Sequence, residues 1–282
     1  MKLLVFGQTG QVARELQRAA PEARYLGRDH ADLTNPAACA AAIRASGAQA
    51  VINAAAYTAV DRAESDTATA QLVNGDSPGG MAQACAAQGI PFLHVSTDYV
   101  FDGTGTAPWR PEDPTAPINV YGRTKLAGEA AVRTSGARHV ILRTSWVFSA
   151  HGANFVKTML RLGAERSHLR VVADQIGGPT PAKGIAATLL TLAAALRDGA
   201  TGGTHHYAGV PETSWSCFAR ETFAQAGMDV TVEDIPTEAY PTPARRPLNS
   251  RLDCAALATD FGITPPDWRA GLAEVIGELK GA

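Results

Sequence analysis

The chain has 282 residues, enough for one large domain or two smaller ones around a substantial core. Hydrophobic residues make up 45%, charged residues 18%, and the formal net charge is −2, values that offer no overall attraction for nucleic acid or an acidic membrane. Cys39, Cys85, Cys217 and Cys254 form no Cys-x-x-Cys pair, and no apolar run has signal-peptide or membrane-spanning length, so free thiols and a cytoplasmic location are expected, without a disulfide framework or zinc site.

Met1 to Phe6 has the pattern of a buried strand, broken by Gly7-Gln8-Thr9-Gly10-Gln11-Val12-Ala13, after which Val12, Leu16 and Ala20 fall at helical spacing. A glycine turn between strand and helix lets the backbone approach a pyrophosphate, and the helix N-terminus favours the anion. Gly7, Thr9, Gly10, Gln11 and Val12 are therefore candidate cofactor residues, with Ala13 in the usual third glycine position. A second strand, Ala23 to Leu26, leads to Gly27-Arg28-Asp29 and Asp32-Leu33. An acid at this strand end binds the ribose hydroxyls of NAD, whereas an arginine accommodates the extra phosphate of NADP. Arg28 comes first and favours NADPH; Asp29 keeps NADH open. Asp32 and Leu33 join the cofactor residues, Asp32 lying against the adenine or else capping the helix after Pro36.

A third parallel strand, Ala48 to Ala54, runs into the small-residue loop Ala54-Ala55-Ala56-Tyr57, suited to lie along the ribose and nicotinamide. Asp61, Arg62 and Glu64 read as an exposed helix start. The following helix, about Thr67 to Gln88, carries Asn74, read as a surface amide in preference to a positioning group.

Ile90 to Val95 is another buried strand, which delivers the hydroxyls of Ser96 and Thr97, and then Asp98, to the sheet's carboxyl edge, where open α/β sheets bind ligands. A proline-rich loop to Pro117 has the length of segments that close over a substrate. Tyr121-Gly122-Arg123-Thr124-Lys125 then sets a phenol and an ammonium one helical turn apart. A free phenol titrates near ~10, too high for proton exchange at neutral pH, and a nearby ammonium favours the phenolate. A fall of roughly three units corresponds to about 4 kcal/mol of differential interaction. The alternative is an exposed helix on which Tyr121 and Lys125 merely pack.

Val140 to Val147 reads as a strand with Trp146 at its end, placed to stack on a sugar or base or to fill the core. Beyond Asn154 a helix, the short strand Arg170 to Ala173, the polar loop Asp174 to Thr180, an apolar helix near Thr188 to Leu196 and a strand from Gly203 to Ala208 are expected. The C-terminal part, with a helix from Thr213 to Gln225 and Arg245-Arg246 between prolines, reads as a smaller lobe over the sheet edge. Two adjacent arginines suit bidentate binding of a diphosphate, or form a solvated pair.

These segments together resemble the dTDP-4-dehydrorhamnose reductases, extended short-chain dehydrogenase/reductases. The resemblance is carried by Gly7 to Val12, Asn53 to Glu64, Ser96 to Gly103, Asn119 to Glu129 and Pro241 to Leu252, with support from Arg143 to Val147 and Asp174 to Thr180. It implies an α/β, Rossmann-type doubly wound parallel sheet with a smaller C-terminal substrate-binding lobe. Residues 1–147 with about 175–208 form the dinucleotide-binding part, and about 148–174 with 209–282 the nucleotide-sugar lobe. It also implies reduction, by NADPH or NADH, of the C4 ketone of dTDP-6-deoxy-L-lyxo-4-hexulose. Tyr121 is then the proton donor, Lys125 lowers its pKa and holds the nicotinamide ribose, and Thr97 hydrogen-bonds the ketone. Asp98 and Trp146 contact the sugar; Arg245 and Arg246 meet the diphosphate. Some members of the family dimerise around magnesium held by three glutamates, of which Glu15 and Glu278 match two. Lys183 occupies the third position, and an ammonium cannot donate to a hard cation, so no metal and a monomer or weak metal-independent homodimer are expected. The rival readings are a cofactor-retaining nucleotide-sugar epimerase or dehydratase and a non-catalytic dinucleotide-binding subunit.

Overall fold

Apolar side chains at both alternate sets of positions along the first strand demand cover on both sides, which helices supply. The computed structural model describes residues 1–281. Its N-terminal elements are β1 (Leu3–Phe6), α1 (Gln11–Ala19), β2 (Arg24–Leu26), α2 (Pro36–Arg44), β3 (Ala50–Asn53), α3 (Val60–Ala63), α4 (Thr67–Gln71), α5 (Ser77–Gln88), β4 (Phe92–Thr97), α6 (Val120–Thr134) and β5 (His139–Thr144). They are followed by β6 (Val147–Phe148), α7 (Phe155–Glu165), β7 (His168–Val172), β8 (Ile176–Gly177), β9 (Thr180–Pro181), α8 (Ala182–Arg197) and β10 (Gly203–His206). The chain ends with β11 (Thr213–Ser214), α9 (Trp215–Ala226), β12 (Thr231–Ile235), β13 (Asn249–Ser250), α10 (Ala255–Phe261) and α11 (Trp268–Gly281).

Six parallel strands form the main sheet in the order β10-β5-β4-β3-β1-β2. Leu3 and Val5 face α1 and α8 in one core with Leu16, Ile185 and Leu189, while Leu4 and Phe6 face the other side with Ile43, Met81 and Cys85. The expected doubly wound sheet is therefore present. Its order reverses between β1 and β3, which puts the ligand crevice beyond the ends of those two strands.

Further apolar clusters lie outside the sheet, one around Phe148, Val156, Phe218, Trp268 and Leu272, another around Leu169, Val171, Phe223 and Val232. Helix α10 departs from the expected lobe boundary: its Leu257 is fully buried in the sheet's own core, so part of 209–282 is main-domain structure. The loop Asp174 to Thr180 also contains the two short strands β8 and β9, which pair with β13 and β6. Among the described residues, no helix is long and apolar enough to cross a membrane.

Candidate active site

The glycine turn closes the bottom of the crevice. Gly7 has φ +118°, and a Cβ there would lie 3.3 Å from the Ala54 carbonyl carbon and 3.4 Å from Ala13 Cβ. Only glycine fits where β1, β3 and α1 converge so closely. Gly10 caps α1 without a side-chain hydrogen bond, and a Cβ there would meet nothing within 4 Å. The first turn of α1 thus leaves its N–H groups free for an anion, as a dinucleotide pyrophosphate requires. Thr9 and Arg28 are exposed at its rim. Other candidates have their side chains engaged in the fold: Val12 and Leu33 are buried, and the Gln11 side chain bonds Val147, Ser149 and Asn154. Asp32 Oδ1 accepts from the Thr34 N–H, whereas the cap of α2 is Asn35, accepting from Ala38.

At the end of β4 the chain turns through a 3₁₀ segment, Asp98–Val100, for which the Thr97 hydroxyl is the N-cap, accepting from Tyr99 N–H at 3.2 Å and donating to Asp98 Oδ1 at 3.1 Å. Asp98 is 2% exposed, and its Oδ2 has no partner. Burial raises its pKa to about 6, against the pull of Ser250 and Thr97. Asn119 caps α6 through Gly122 N–H, and Glu64 accepts the neighbouring Val120 N–H at 2.8 Å. Glu64, read from sequence as part of an exposed helix start, is thus a second cap of α6. In the first turn stands Tyr121, its ring edge-on to Tyr99 at 5.5 Å. Gly122 is required here, because any side chain would run into the Tyr99 carbonyl.

The expected acidified phenol is not seen in this arrangement. Burial pushes Tyr121 up to about 12, Thr97 opposes this and the Asp98 charge adds to it. The lysine is turned to the strand: Lys125 Nζ donates to the Val95 carbonyl at 2.7 Å and lies 3.2 Å from His94 Nε2. Burial lowers the Lys125 pKa to about 8, with Glu129 opposing.

Asn74 corrects the sequence reading. It is 1% exposed, sits in a single π-helical turn (Leu72–Asp76) between α4 and α5, and clamps Tyr57 from both sides, accepting from its N–H and donating to its carbonyl. A third bond reaches Thr124 Oγ1 on α6. The amide thus ties the Ala54–Tyr57 loop to α6, which packs so closely that Gly128 has no room for a side chain against the Asn74 carbonyl. Sequence reasoning also missed the ion cluster behind Thr97. Glu129, 0% exposed, accepts from Arg143 Nε at 2.9 Å and Nη2 at 2.7 Å, from Arg133 at 2.6 Å and from Ser96 Oγ at 2.6 Å. Burial would raise its pKa, but Arg143, Ser96 and Arg133 outweigh it and hold it low. The spacing of Glu129 four residues after Lys125 was the available signal.

Trp146 adopts φ +49°, a left-handed conformation that costs a bulky residue roughly 1–2 kcal/mol. Its ring lies over Gly177 and stacks on Trp215, with centroids 3.6 Å apart. The two arginines separate. Arg246 pairs with Asp61 at 2.8 Å and is committed, while Arg245 is exposed and its carbonyl accepts from Asn119 Nδ2. The proline-rich loop is pinned too: Trp109 hydrogen-bonds Arg251, Asp253 and Asn249, and Arg143 donates to Pro111. Away from the crevice, Arg18 takes Glu278 at 2.9 Å and approaches Glu15, and Lys183 takes Glu274 at 2.7 Å. Among the described residues no His, Cys, Asp and Glu cluster is arranged to hold a metal ion.

The chain as a whole has counterparts among known proteins. A family model described as RmlD substrate binding domain matches residues 1–280. The dTDP-4-dehydrorhamnose reductase of Burkholderia thailandensis is 46% identical, covering 99% of both chains. The chain belongs to the dTDP-4-dehydrorhamnose reductase family. Two crystal structures of such reductases superimpose closely. That from Clostridium acetobutylicum gives a TM-score of 0.93 at 35% identity, over 99% of this chain and 100% of the other. That from Bacillus anthracis, in complex with NADP, gives 0.92 at 34%, over 99% and 100%. As a member of this reductase family, the chain is an oxidoreductase built on nucleotide-sugar chemistry.

Proposed function

We propose that this protein uses NADPH, and NADH less readily, to reduce the C4 ketone of dTDP-6-deoxy-L-lyxo-4-hexulose to dTDP-L-rhamnose, in the cytoplasm and without a metal-bridged dimer. One observation carries the reading: Thr97, Asp98 and Tyr121 converge at the carboxyl end of β4 beside the Gly7–Ala54 crevice, in a chain that matches these reductases end to end.

The crevice fits a dinucleotide. Gly7 and Gly10 leave room for backbone contact, the first turn of α1 is uncapped, and Arg28 stands exposed at the end of β2, where a 2′-phosphate would sit. Gly7 to Val12 would hold the pyrophosphate through backbone, Asp32 and Leu33 would border the adenine, and Ala54 to Tyr57 with Tyr121 and Lys125 would border the nicotinamide ribose. When bound, the reduced nicotinamide supplies the hydride.

The rest is this chain's own chemistry. Tyr121, with its pKa near 12, carries its proton at neutral pH and gives it to the ketone oxygen as charge develops there. Thr97 donates a hydrogen bond to the same oxygen, and Asp98 meets a sugar hydroxyl with its unpartnered Oδ2. Lys125 stabilises the phenolate left behind. Trp146 and Trp215 form an aromatic wall for the sugar or base, and Arg245 is the arginine free to meet the diphosphate.

The test is NADPH oxidation with dTDP- and UDP-linked 4-ketosugars, with the product identified by NMR. One NADPH consumed per dTDP-6-deoxy-L-hexose formed supports the reading. Turnover with no net NADPH consumption would replace it with a cofactor-retaining epimerase or dehydratase, although Tyr99, not a glutamate, follows Asp98 here.

A further inference from the structure

Behind the crevice, three buried polar side chains form a line across adjacent strands. Asn53 on β3 and His94 on β4 are both 0% exposed, and Lys125 on α6 is 1% exposed. Asn53 Nδ2 lies 3.2 Å from His94 Nδ1, and His94 Nε2 lies 3.2 Å from Lys125 Nζ. The other end of the line is fixed, since Asn53 Oδ1 accepts from the Ala55 N–H at 3.2 Å.

The proton positions follow from that end. The Ala55 N–H can only donate, so it must face the amide oxygen, and the Asn53 NH₂ must then face His94 Nδ1. Nδ1 is therefore an acceptor. A neutral imidazole carries one proton, so that proton sits on Nε2 and points at Lys125. Burial holds His94 well below the usual imidazole range, so a doubly protonated ring is excluded. An ammonium cannot accept the Nε2 proton, whereas a neutral amine can. The arrangement is that of an uncharged lysine that donates one N–H to the Val95 carbonyl.

Charging Lys125 reverses the line. Its new N–H makes Nε2 an acceptor, the imidazole proton moves to Nδ1, and Asn53 must turn its oxygen to receive it. The Asn53 oxygen then leaves Ala55, whose N–H needs a new acceptor. Ala55 lies in the loop proposed to border the nicotinamide ribose.

We propose that Asn53 and His94 form a proton-coupled switch behind the cofactor site: protonation of Lys125 drives a tautomer change in His94 and a turn of Asn53 that releases the Ala55 N–H toward the dinucleotide, so cofactor binding and lysine protonation favour one another. Asn53 and His94 are positioning residues that act through Lys125 and Ala55. The inference rests on the reading of Lys125 and Ala55 as cofactor-side groups. The switch turns near pH 8, where burial places the lysine. The charged and titratable groups around it are Glu129 and Tyr121 on α6 and His94 on β4, with β3 contributing only the neutral Asn53; Glu129 is neutralised by Arg143 and Arg133.

The experiment is NMR of the full-length protein with ¹⁵N-histidine and ¹³Cε-lysine. The other lysines, Lys2, Lys157, Lys183 and Lys280, are not buried, which sets the Lys125 signal apart. In the cofactor-free protein the His94 ring should change from Nε2–H to Nδ1–H as the Lys125 signal titrates. Saturation with NADP⁺ should hold the Nδ1–H form and raise the lysine midpoint by about one unit or more, with proton uptake on binding measured by calorimetry in two buffers above about pH 8. In Asn53→Asp, a carboxylate accepts from Ala55 and Nδ1–H together, so the ring should stay Nδ1–H throughout and proton uptake should vanish. A ring that keeps one tautomer across the wild-type lysine titration refutes the switch. Such a result in a protein that still reduces the dTDP-ketosugar refutes this inference alone. NADP⁺ that shifts neither the lysine nor the ring signals, in a protein with no reductase activity, refutes the reading beneath it.

Discussion

Replacing Asp98 by Asn should stabilise the protein near neutral pH relative to acid. Folding raises the Asp98 pKa from 3.8 to about 6, so the folded state disfavours the charged form. The sign follows: there is no penalty well below pH 3.8, and it grows as pH rises and the unfolded chain ionises first, levelling off above 6. A gap of about 2.2 units is worth about 3 kcal/mol when complete, of which about 0.6 is already present at pH 4, leaving roughly 2.4 kcal/mol to accumulate by about pH 7.5. The amide keeps an oxygen for Thr97 but puts an NH₂ where Oδ2 has no partner, a fixed cost that does not depend on pH. Urea denaturation of both proteins at about pH 4 and about pH 7.5 isolates the difference, because titrations elsewhere cancel between them. The Asp98→Asn protein should gain about 2 kcal/mol on the wild type between these conditions and lose substrate affinity. A stability difference that does not move with pH would refute the account of Asp98 as a carboxylate kept charged against its burial.

The other predictions concern the proton donor, the aromatic wall and the buried ion pair. Tyr121→Phe should lower kcat by roughly 10²–10⁴-fold, with NADPH affinity from fluorescence titration nearly unchanged, since it deletes only the donated proton. Trp146→Ala should raise KM for the nucleotide sugar about tenfold while leaving that for NADPH in place, because its ring packs on Trp215 and Gly177 and makes none of the proposed cofactor contacts. Glu129→Gln should cost about 3–5 kcal/mol in urea unfolding, by leaving Arg143 buried without its counter-charge. Glu129→Leu with Arg143→Met should recover most of that stability and still turn over slowly; full recovery of kcat would show that the pair does not position the site.

The main sheet was legible because its strands are apolar runs ended by glycine or polar turns, and its strand–turn–helix start has a single common use. The Tyr121–Lys125 spacing was legible for the same local reason. Long-range partners were not. Asn74 looks like any helical amide until Tyr57 and Thr124 are brought to it, and Asp61 and Glu64 look solvated until Arg246 and Val120 arrive. The two arginines were indistinguishable in sequence, and only the fold commits Arg246 to Asp61. Most telling is the phenol. Spacing suggested a lowered pKa, but spacing carries no information on burial, which is the largest influence on Tyr121 and raises it.

The polar groups behind the site share one consequence, the fixing of α6. Its first turn is held by Asn119 and Glu64, its middle by Asn74 through Thr124, and its later turns by Glu129 on Arg143 and Ser96. Replacing a buried ion pair by apolar side chains often leaves stability unchanged or improved, so stability alone is a weak reason for burying Glu129. Register is a stronger one. Apolar contacts tolerate a small slide of a helix along a sheet, whereas a two-pronged Arg143–Glu129 pair loses both bonds. Ser96 binds the same carboxylate and is the residue before Thr97, so whatever locks α6 also locks the strand end that presents the hydroxyl to the phenol. Through Pro111 and Trp109 the same arginine reaches the segment Asn249–Asp253, and Asn119 and Asp61 reach Arg245 and Arg246. Arg245, proposed to meet the diphosphate, is thus held through its backbone by the frame that sets the proposed proton donor. A substrate gripped at its phosphates would find the phenol and hydroxyl already in place, at little further ordering cost.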